Sequence, residues 1–152
     1  MICVECPSAR AKWQGFDLAS LLEVVDPQPE AQWVHLFCAD DYYESQSVQE
    51  LLRDRVMFAY GMKDALLPGK YGAPLRLVAP SKCGYKWAKA MLRLEFATDE
   101  KIGYWPTVGP YTSSGVILAG RDYPLDIPGG SRSIDGDEII YPEDQEGQWT
   151  WP

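Results

Sequence analysis

Six cations and no carboxylate occupy the stretch from Lys70 to Arg93, KYGAPLRLVAPSKCGYKWAKAMLR, in a chain whose net charge is -8. They are Lys70, Arg76, Lys82, Lys86, Lys89 and Arg93. A local excess of cations held against the global sign fits an anionic ligand, most often a phosphate. Gly72 and Gly84 permit close backbone approach, Pro74 and Pro80 stiffen the edges, and Arg76 can fork onto an oxyanion. Lys86 and Lys89 stand three apart, so one helical turn would present both in the same direction. The competing reading is a solvated basic face with Lys70 and Arg93 at its edge.

Four cysteines, Cys3, Cys6, Cys38 and Cys83, offer a second chemistry. Only Cys3 and Cys6 form a C-x-x-C pair, whereas a closed structural zinc site draws paired knuckles from the sequence. A thioredoxin-like pair would open a helix, and here the helical pattern begins a dozen residues later. Isolated cysteines are often small buried hydrophobes. The single histidine, His35, shares a strand face with Trp33 and Phe37 and reads as packed and hydrogen-bonded, not catalytic. Asp40 and Asp41 are adjacent loop acids, a pattern that is usually solvated.

The elements that must carry these groups are legible in part. Leu18, Leu21, Leu22 and Val25 fall at helical spacing behind Asp17 as N-cap, and Pro27 and Pro29 close the helix. QWVHLFC, residues 32–38, alternates as a strand. ADDYYES is a polar loop with two tyrosines, and SVQELLRD is a short helix with Ser47 as cap and Glu50 completing a capping box. VMFAYGM, LRLVAP and MLRLEFA read as strands, with SKCGYKWAKA an irregular loop or one helical turn between the last two. From Gly103 the chain is dense in Gly, Pro, Asp and Tyr, with strand-like pieces GVILAG and DEIIYP and no helix pattern. The class is α+β with a mixed or antiparallel sheet.

A chain of 152 residues with 46% hydrophobic and 12% aromatic side chains is one globular domain spanning 1–152, its part from 105 onward irregular and acidic. Residues 1–93 carry 11 basic and 11 acidic side chains, and residues 94–152 carry 3 and 11. An acidic chain is poorly suited to general nucleic-acid binding. No apolar run approaches the roughly 18 residues of a membrane span, and MICVECPSAR lacks the order of a secretion signal.

The pattern G-A-P-L-R-L-V-A-P-x-K-x-G-Y-K-x-x-K resembles the pterin-anchoring segment of the sulfite oxidase family, the oxidoreductase molybdopterin-binding domain. CVECPSARAKWQGF resembles the family segment in which a cysteine, followed by a loop, Trp and Gly, ligates molybdenum. FCADDYYES resembles the strand and loop lining the metal pocket, and VMFAYGM, LLPGKYGAPLRLVAP and GYW at Gly103 to Trp105 follow in the family's order. The resemblance covers most of residues 3–105.

It implies a sulfite-oxidase-type fold, shortened at its N-terminus, that holds Mo-molybdopterin. Cys3 then matches the molybdenum ligand, a soft thiolate suited to that metal. Cys38 and Tyr71 match pterin contacts, and Arg76 matches the arginine that holds the cofactor. Trp87, Ala88 and Lys89 match a tripeptide that grips the terminal phosphate, and Lys86, beside it in the same cationic segment, is expected to bind the cofactor as well. Tyr43 matches the tyrosine next to the substrate oxyanion. The implied reaction is oxygen-atom transfer on a small oxyanion or sulfoxide, with electrons exchanged through a separate partner such as a cytochrome, since no C-x-x-C-H haem motif is present. PSAR after Cys3 leaves Arg10 as the only guanidinium there, which turns the expectation away from sulfite and toward the bacterial reductase branch that acts on sulfoxides. Relatives in bacteria are often periplasmic. Two alternatives stay open: a cofactor-free remnant of the same fold, and a phosphate- or nucleotide-binding module built on the cationic window alone.

Overall fold

The computed structural model describes residues 11–117, together with the backbone of two short strands at 121–122 and 132–133. Two antiparallel sheets and short helices carry the core. In the first sheet β4 (Met57–Met62) is central. β1 (Trp13–Phe16) pairs along one side, and β5 (Ala65–Leu66) and β6 (Arg76–Val78) share the other. The second sheet has the order β3–β2–β7, built from β2 (Trp33–Cys38), β3 (Tyr43–Ser47) and β7 (Met91–Ala97). Every pairing among the described residues is antiparallel, the second of the two arrangements expected. The strands β8 (Arg121–Asp122) and β9 (Arg132–Ser133) form a separate pair.

Helix α1 (Leu18–Val25) begins where the sequence places it. Asp17 accepts hydrogen bonds from Ser20 N at 2.9 Å and Ser20 Oγ at 2.7 Å. Leu18 is fully buried and Leu21 and Leu22 pack against the core, while Val25, expected on the same face, is about half exposed. The helix ends at Asp26 in the left-handed region, so its last turn peels away. Helix α2 (Val48–Leu51) has the expected Ser47 cap, its Oγ accepting from Glu50 N at 3.1 Å. The Glu50 carboxylate does not complete a capping box; it turns to Arg53 and Lys82 at 3.1 and 3.2 Å.

Two elements correct the reading of the sequence. Tyr43 to Ser45, expected to end a polar loop, open strand β3, which runs on to Ser47, and its inward side chains are Glu44 and Gln46 instead of hydrophobes. The stretch after Gly103, expected to lack helix, holds α3 (Tyr104–Val108), where Pro106 sits in the first turn and has no N–H to leave unpaired. Of the late strand-like pieces, Val116 makes one antiparallel bridge with Lys82, and DEIIYP lies outside the described residues.

The core is one cluster linking both sheets, with Leu18, Val34, Leu36, Leu51, Phe58, Leu77, Trp87 and Met91 among its members. His35, on the other face of β2, donates from Nε2 to Asp99 O at 2.9 Å and stands edge-on to Phe37, as a packed histidine should. No helix among the described residues is long and apolar enough to cross a membrane.

Candidate functional site

Arg76 is the centre of the arrangement. It lies on β6, paired with Ala59 of β4, and is 6% exposed. Its guanidinium carbon stands 4.8 Å from the ring centre of Trp13 on β1 and 5.7 Å from that of Trp87. Nη1 donates to the Tyr71 carbonyl at 3.0 Å. Burial lowers its pKa to about 10, so it remains cationic at neutral pH. A planar, weakly hydrated guanidinium tolerates this place between indole faces better than an ammonium would.

Two segments zip together to build the surroundings. Ala90 N donates to Gly72 O at 2.9 Å, Met91 N to Leu75 O at 2.9 Å, and Leu77 N to Ala88 O at 2.7 Å. Tyr71, Gly72 and Arg76 therefore lie alongside Trp87, Ala88 and Lys89. Gly72 has φ +102°, and a Cβ there would stand 2.5 Å from Lys89 Cβ. Only glycine meets both conditions. The Trp87 indole N–H donates to Lys82 O at 2.9 Å, which fixes the ring plane over Arg76. Ala88 is buried and Lys89 is exposed.

Cys38 joins this group from the end of β2. Its backbone N–H donates to Tyr42 O, and Ala39 N donates to Ala90 O, each at 3.0 Å. Burial first, and then the charges of Asp40 and Glu44, push the Cys38 thiol up to about 11 against the opposing pull of Lys89. Cys38 is thus a neutral thiol at physiological pH. Among the described residues no group of three or more His, Cys, Asp or Glu side chains could hold a metal. Cys3, the expected ligand, lies with Cys6 and Arg10 outside the described residues.

Lys86 and Lys89 do not point the same way. The turn of 3-10 helix at Gly84–Lys86 ends at Trp87, which leaves helical geometry. Lys86 is buried, with Nζ 2.5 Å from Glu44 Oε1, and both side chains are almost wholly shielded. Burial drives Glu44 up and Lys86 down, each held back by the other's charge. Desolvating two ions costs on the order of several kcal/mol each, so only close pairing makes the arrangement tolerable. Glu44 Oε1 also accepts from Ser45 N at 2.7 Å. Lys82 is likewise buried, its Nζ 3.2 Å from Glu50 Oε2 and 2.9 Å from Ser114 O. Of the six cations in the basic window, two face inward as paired groups. Arg93 is exposed, paired with Glu95 at 2.7 Å and stacked on Phe37.

The neighbouring tyrosines diverge in the same manner. Tyr43 shares the outer face of the second sheet with Phe37, edge-on to Tyr104 and under the Lys101 ammonium, 4.6 Å from its ring centre. Tyr42 turns inward, where its hydroxyl donates to Tyr85 O and lies 3.5 Å from Glu44 Oε2. Burial and the Glu44 charge raise its pKa far above that of an ordinary phenol. The sequence reading gave no part to Tyr42 or Glu44. The signal for Glu44 was a carboxylate in a segment alternating with the aromatic Tyr43, too short to stand out.

Comparison with known proteins shows the family. The family described as the oxidoreductase molybdopterin-binding domain matches residues 5–105, and the chain belongs to that family. It is 35% identical over 108 residues to a putative protein-methionine-sulfoxide reductase subunit, YedZ1, of Azospira oryzae, covering 71% of this chain and 41% of that protein. It is 29% identical over 123 residues to the protein-methionine-sulfoxide reductase catalytic subunit MsrP of Ralstonia nicotianae, covering 71% and 37%. Among solved structures, the sulfane dehydrogenase SoxCD of Paracoccus pantotrophus superposes with a TM-score of 0.55 at 27% identity, over 59% of this chain and 23% of that one. The fold is therefore of the sulfite oxidase type. The chain spans about two fifths of the length of the curated relatives it matches.

Proposed function

We propose that this domain holds molybdopterin and takes part in oxygen-atom transfer on a sulfoxide, with the methionine sulfoxide of proteins as the substrate class. The observation that carries the reading is the Arg76 cluster: a buried guanidinium and an exposed Lys89, brought together by one zipped pair of segments that only a glycine at position 72 lets close. That donor set fits a phosphorylated pterin. Arg76 supplies a fixed fork, the Trp87–Ala88–Lys89 backbone with the Lys89 side chain receives the phosphate, and Tyr71 and Cys38 line the ring. Cys3 supplies the thiolate for molybdenum.

The cofactor, when bound, supplies the two-electron chemistry by which a sulfoxide, two electrons and two protons give a thioether and water. The chain's own part is to bind and orient. Trp13 and Trp87 hold the guanidinium plane. Tyr43 donates its phenol proton as a hydrogen bond toward substrate oxygen. Electrons come from a separate electron-transfer protein such as a cytochrome.

The two named relatives motivate the sulfoxide over an oxyanion. The test is elemental and spectroscopic. Chain purified from a molybdopterin-competent host should contain molybdenum and pterin near one per protein, and Cys3→Ser should lose the metal while folding normally. A folded product with neither metal nor pterin would sink the reading in favour of a cofactor-free remnant. Tyr43→Phe should keep its pterin and lose about a hundredfold or more in sulfoxide turnover, the order expected for one oxyanion donor.

A further inference from the structure

The tripeptide Trp87–Ala88–Lys89 sits in a loop with little regular pairing, so something other than a sheet ladder must fix it. Its last backbone bonds, Ala88 O to Leu77 N and Ala90 N to Gly72 O, hold one end. The other end is held from within. Lys86, immediately before the tripeptide, reaches Glu44 on β3 at 2.5 Å, and Tyr42 donates to the carbonyl of Tyr85. Four residues earlier, Lys82 reaches Glu50 and Ser114 O, and its own carbonyl receives the Trp87 indole N–H. The backbone of Gly103 lies directly on the Glu44 carboxylate, and that of Gly115 on the Lys86 stem, so neither ion has room to shift.

We infer that the buried Glu44–Lys86 pair is a positioning device for the tripeptide, setting where its N–H groups and the Lys89 ammonium stand relative to Arg76. The inference rests on the molybdopterin reading for what is bound, though not for the placement itself. A buried ion pair is weak evidence of stability, because a well-packed apolar pair often does as well or better. What an apolar pair lacks is direction. Lys86 to Glu44 is a single short bond with one satisfied geometry, linking the loop to the middle of β3. Leu and Met at those positions would allow the loop to slide by a rotamer. Lys86 directly precedes Trp87, and Glu44 directly follows Tyr42 and Tyr43, so the pair joins the start of the tripeptide to the start of β3.

The experiment separates placement from stability and from the cofactor reading. The full chain is produced in a molybdopterin-competent host as wild type, Glu44→Gln, and the double variant Glu44→Leu with Lys86→Met. Three quantities are read: melting temperature, pterin fluorescence after oxidation per folded protein, and amide hydrogen exchange across residues 84–91 against the β1–β4 pair. The double variant is expected to melt at or above wild type, yet to exchange at least tenfold faster across 86–90 and to retain at most a fifth of the pterin. Exchange at β1–β4 stays unchanged. Wild-type pterin content and wild-type exchange in the double variant would overturn the inference, since the pair would then be interchangeable with any core filling. Should the double variant not fold, Glu44→Gln carries the same comparison, because it keeps the side chain's size and removes only its charge. Absence of pterin from wild type as well would end the molybdopterin reading, while exchange in the cofactor-free chain would still decide whether the pair places the loop.

Discussion

Gly72 and Lys89 are in direct contact, the glycine's Cα facing the lysine's Cβ so closely that a methyl group at 72 would stand 2.5 Å from it. The same glycine holds φ +102°, a region that L side chains rarely adopt. Gly72→Ala should therefore destabilise the fold by about 1–2 kcal/mol from backbone conformation alone. It should also push Lys89 outward and reduce pterin content beyond what the lost stability explains. Gly69→Ala is the control, since a Cβ there meets nothing within 4 Å. Equal pterin loss in the two variants would argue against a cradle at Gly72.

Arg76→Lys keeps one positive charge and removes the fork and the two stacking faces. The loss of two buried cation–aromatic contacts should cost about 2 kcal/mol of stability, read as a lower denaturation midpoint. Pterin content should fall at least tenfold, because a point charge does not replace a planar pair of donors. Retention of pterin in this variant would mean that charge alone suffices.

Cys38 should resist alkylation at ordinary pH. With its pKa pushed up to about 11, only about one thiol in a thousand is ionised at pH 8. Site-resolved mass spectrometry with iodoacetamide should show its rate climbing about tenfold per pH unit up to that value. A plateau near pH 9 would show that Lys89 offsets burial more than the arrangement suggests.

Asp17 offers a pH test remote from the site. Its carboxylate is held below the ordinary value of 3.8, first by the Ser20 N–H and then by the Ser20 hydroxyl. A carboxyl depressed in the folded state contributes stability that is present above 3.8 and lost as pH falls through the lower folded value. Asp17→Ala should accordingly melt lower than wild type at pH 7, and the gap should close as acid protonates the wild-type cap. A gap that persists unchanged at pH 2 would place the effect elsewhere.

Much of the scaffold could be read from residue types because its local signals agree with its burial. Asp17 before a helical spacing, Ser47 before VQEL, and the alternation of Val34 and Leu36 with His35 and Phe37 each correspond to what the element does. Strand β3 escaped because its buried positions are Glu44 and Gln46, which look solvated to any count of hydrophobes. Helix α3 escaped because its cap is Gly103 and its first turn holds Pro106, two residues that read as breakers. In the cationic window, charge pattern alone cannot tell an inward lysine from an outward one. Lys82 and Lys86 needed partners from α2 and β3, distant in sequence, before their direction was fixed. Arg76, Tyr71, Trp87 and Lys89 do come together as the resemblance implies, and Trp13 joins them from β1.

The stack of Trp13 on Arg76 also orders events during synthesis. Trp13 is among the first residues of the described fold to leave the ribosome, but its cation does not exist until β6 has been made, and the second indole follows later still. Strand β1 must wait for β4 in the same way, since Trp13 pairs with Met62. Contacts this distant along the chain form slowly and late. The cluster around Arg76 is therefore closed only once Trp87 has emerged, well past the midpoint of the chain, and whatever binds there meets a site that is finished late.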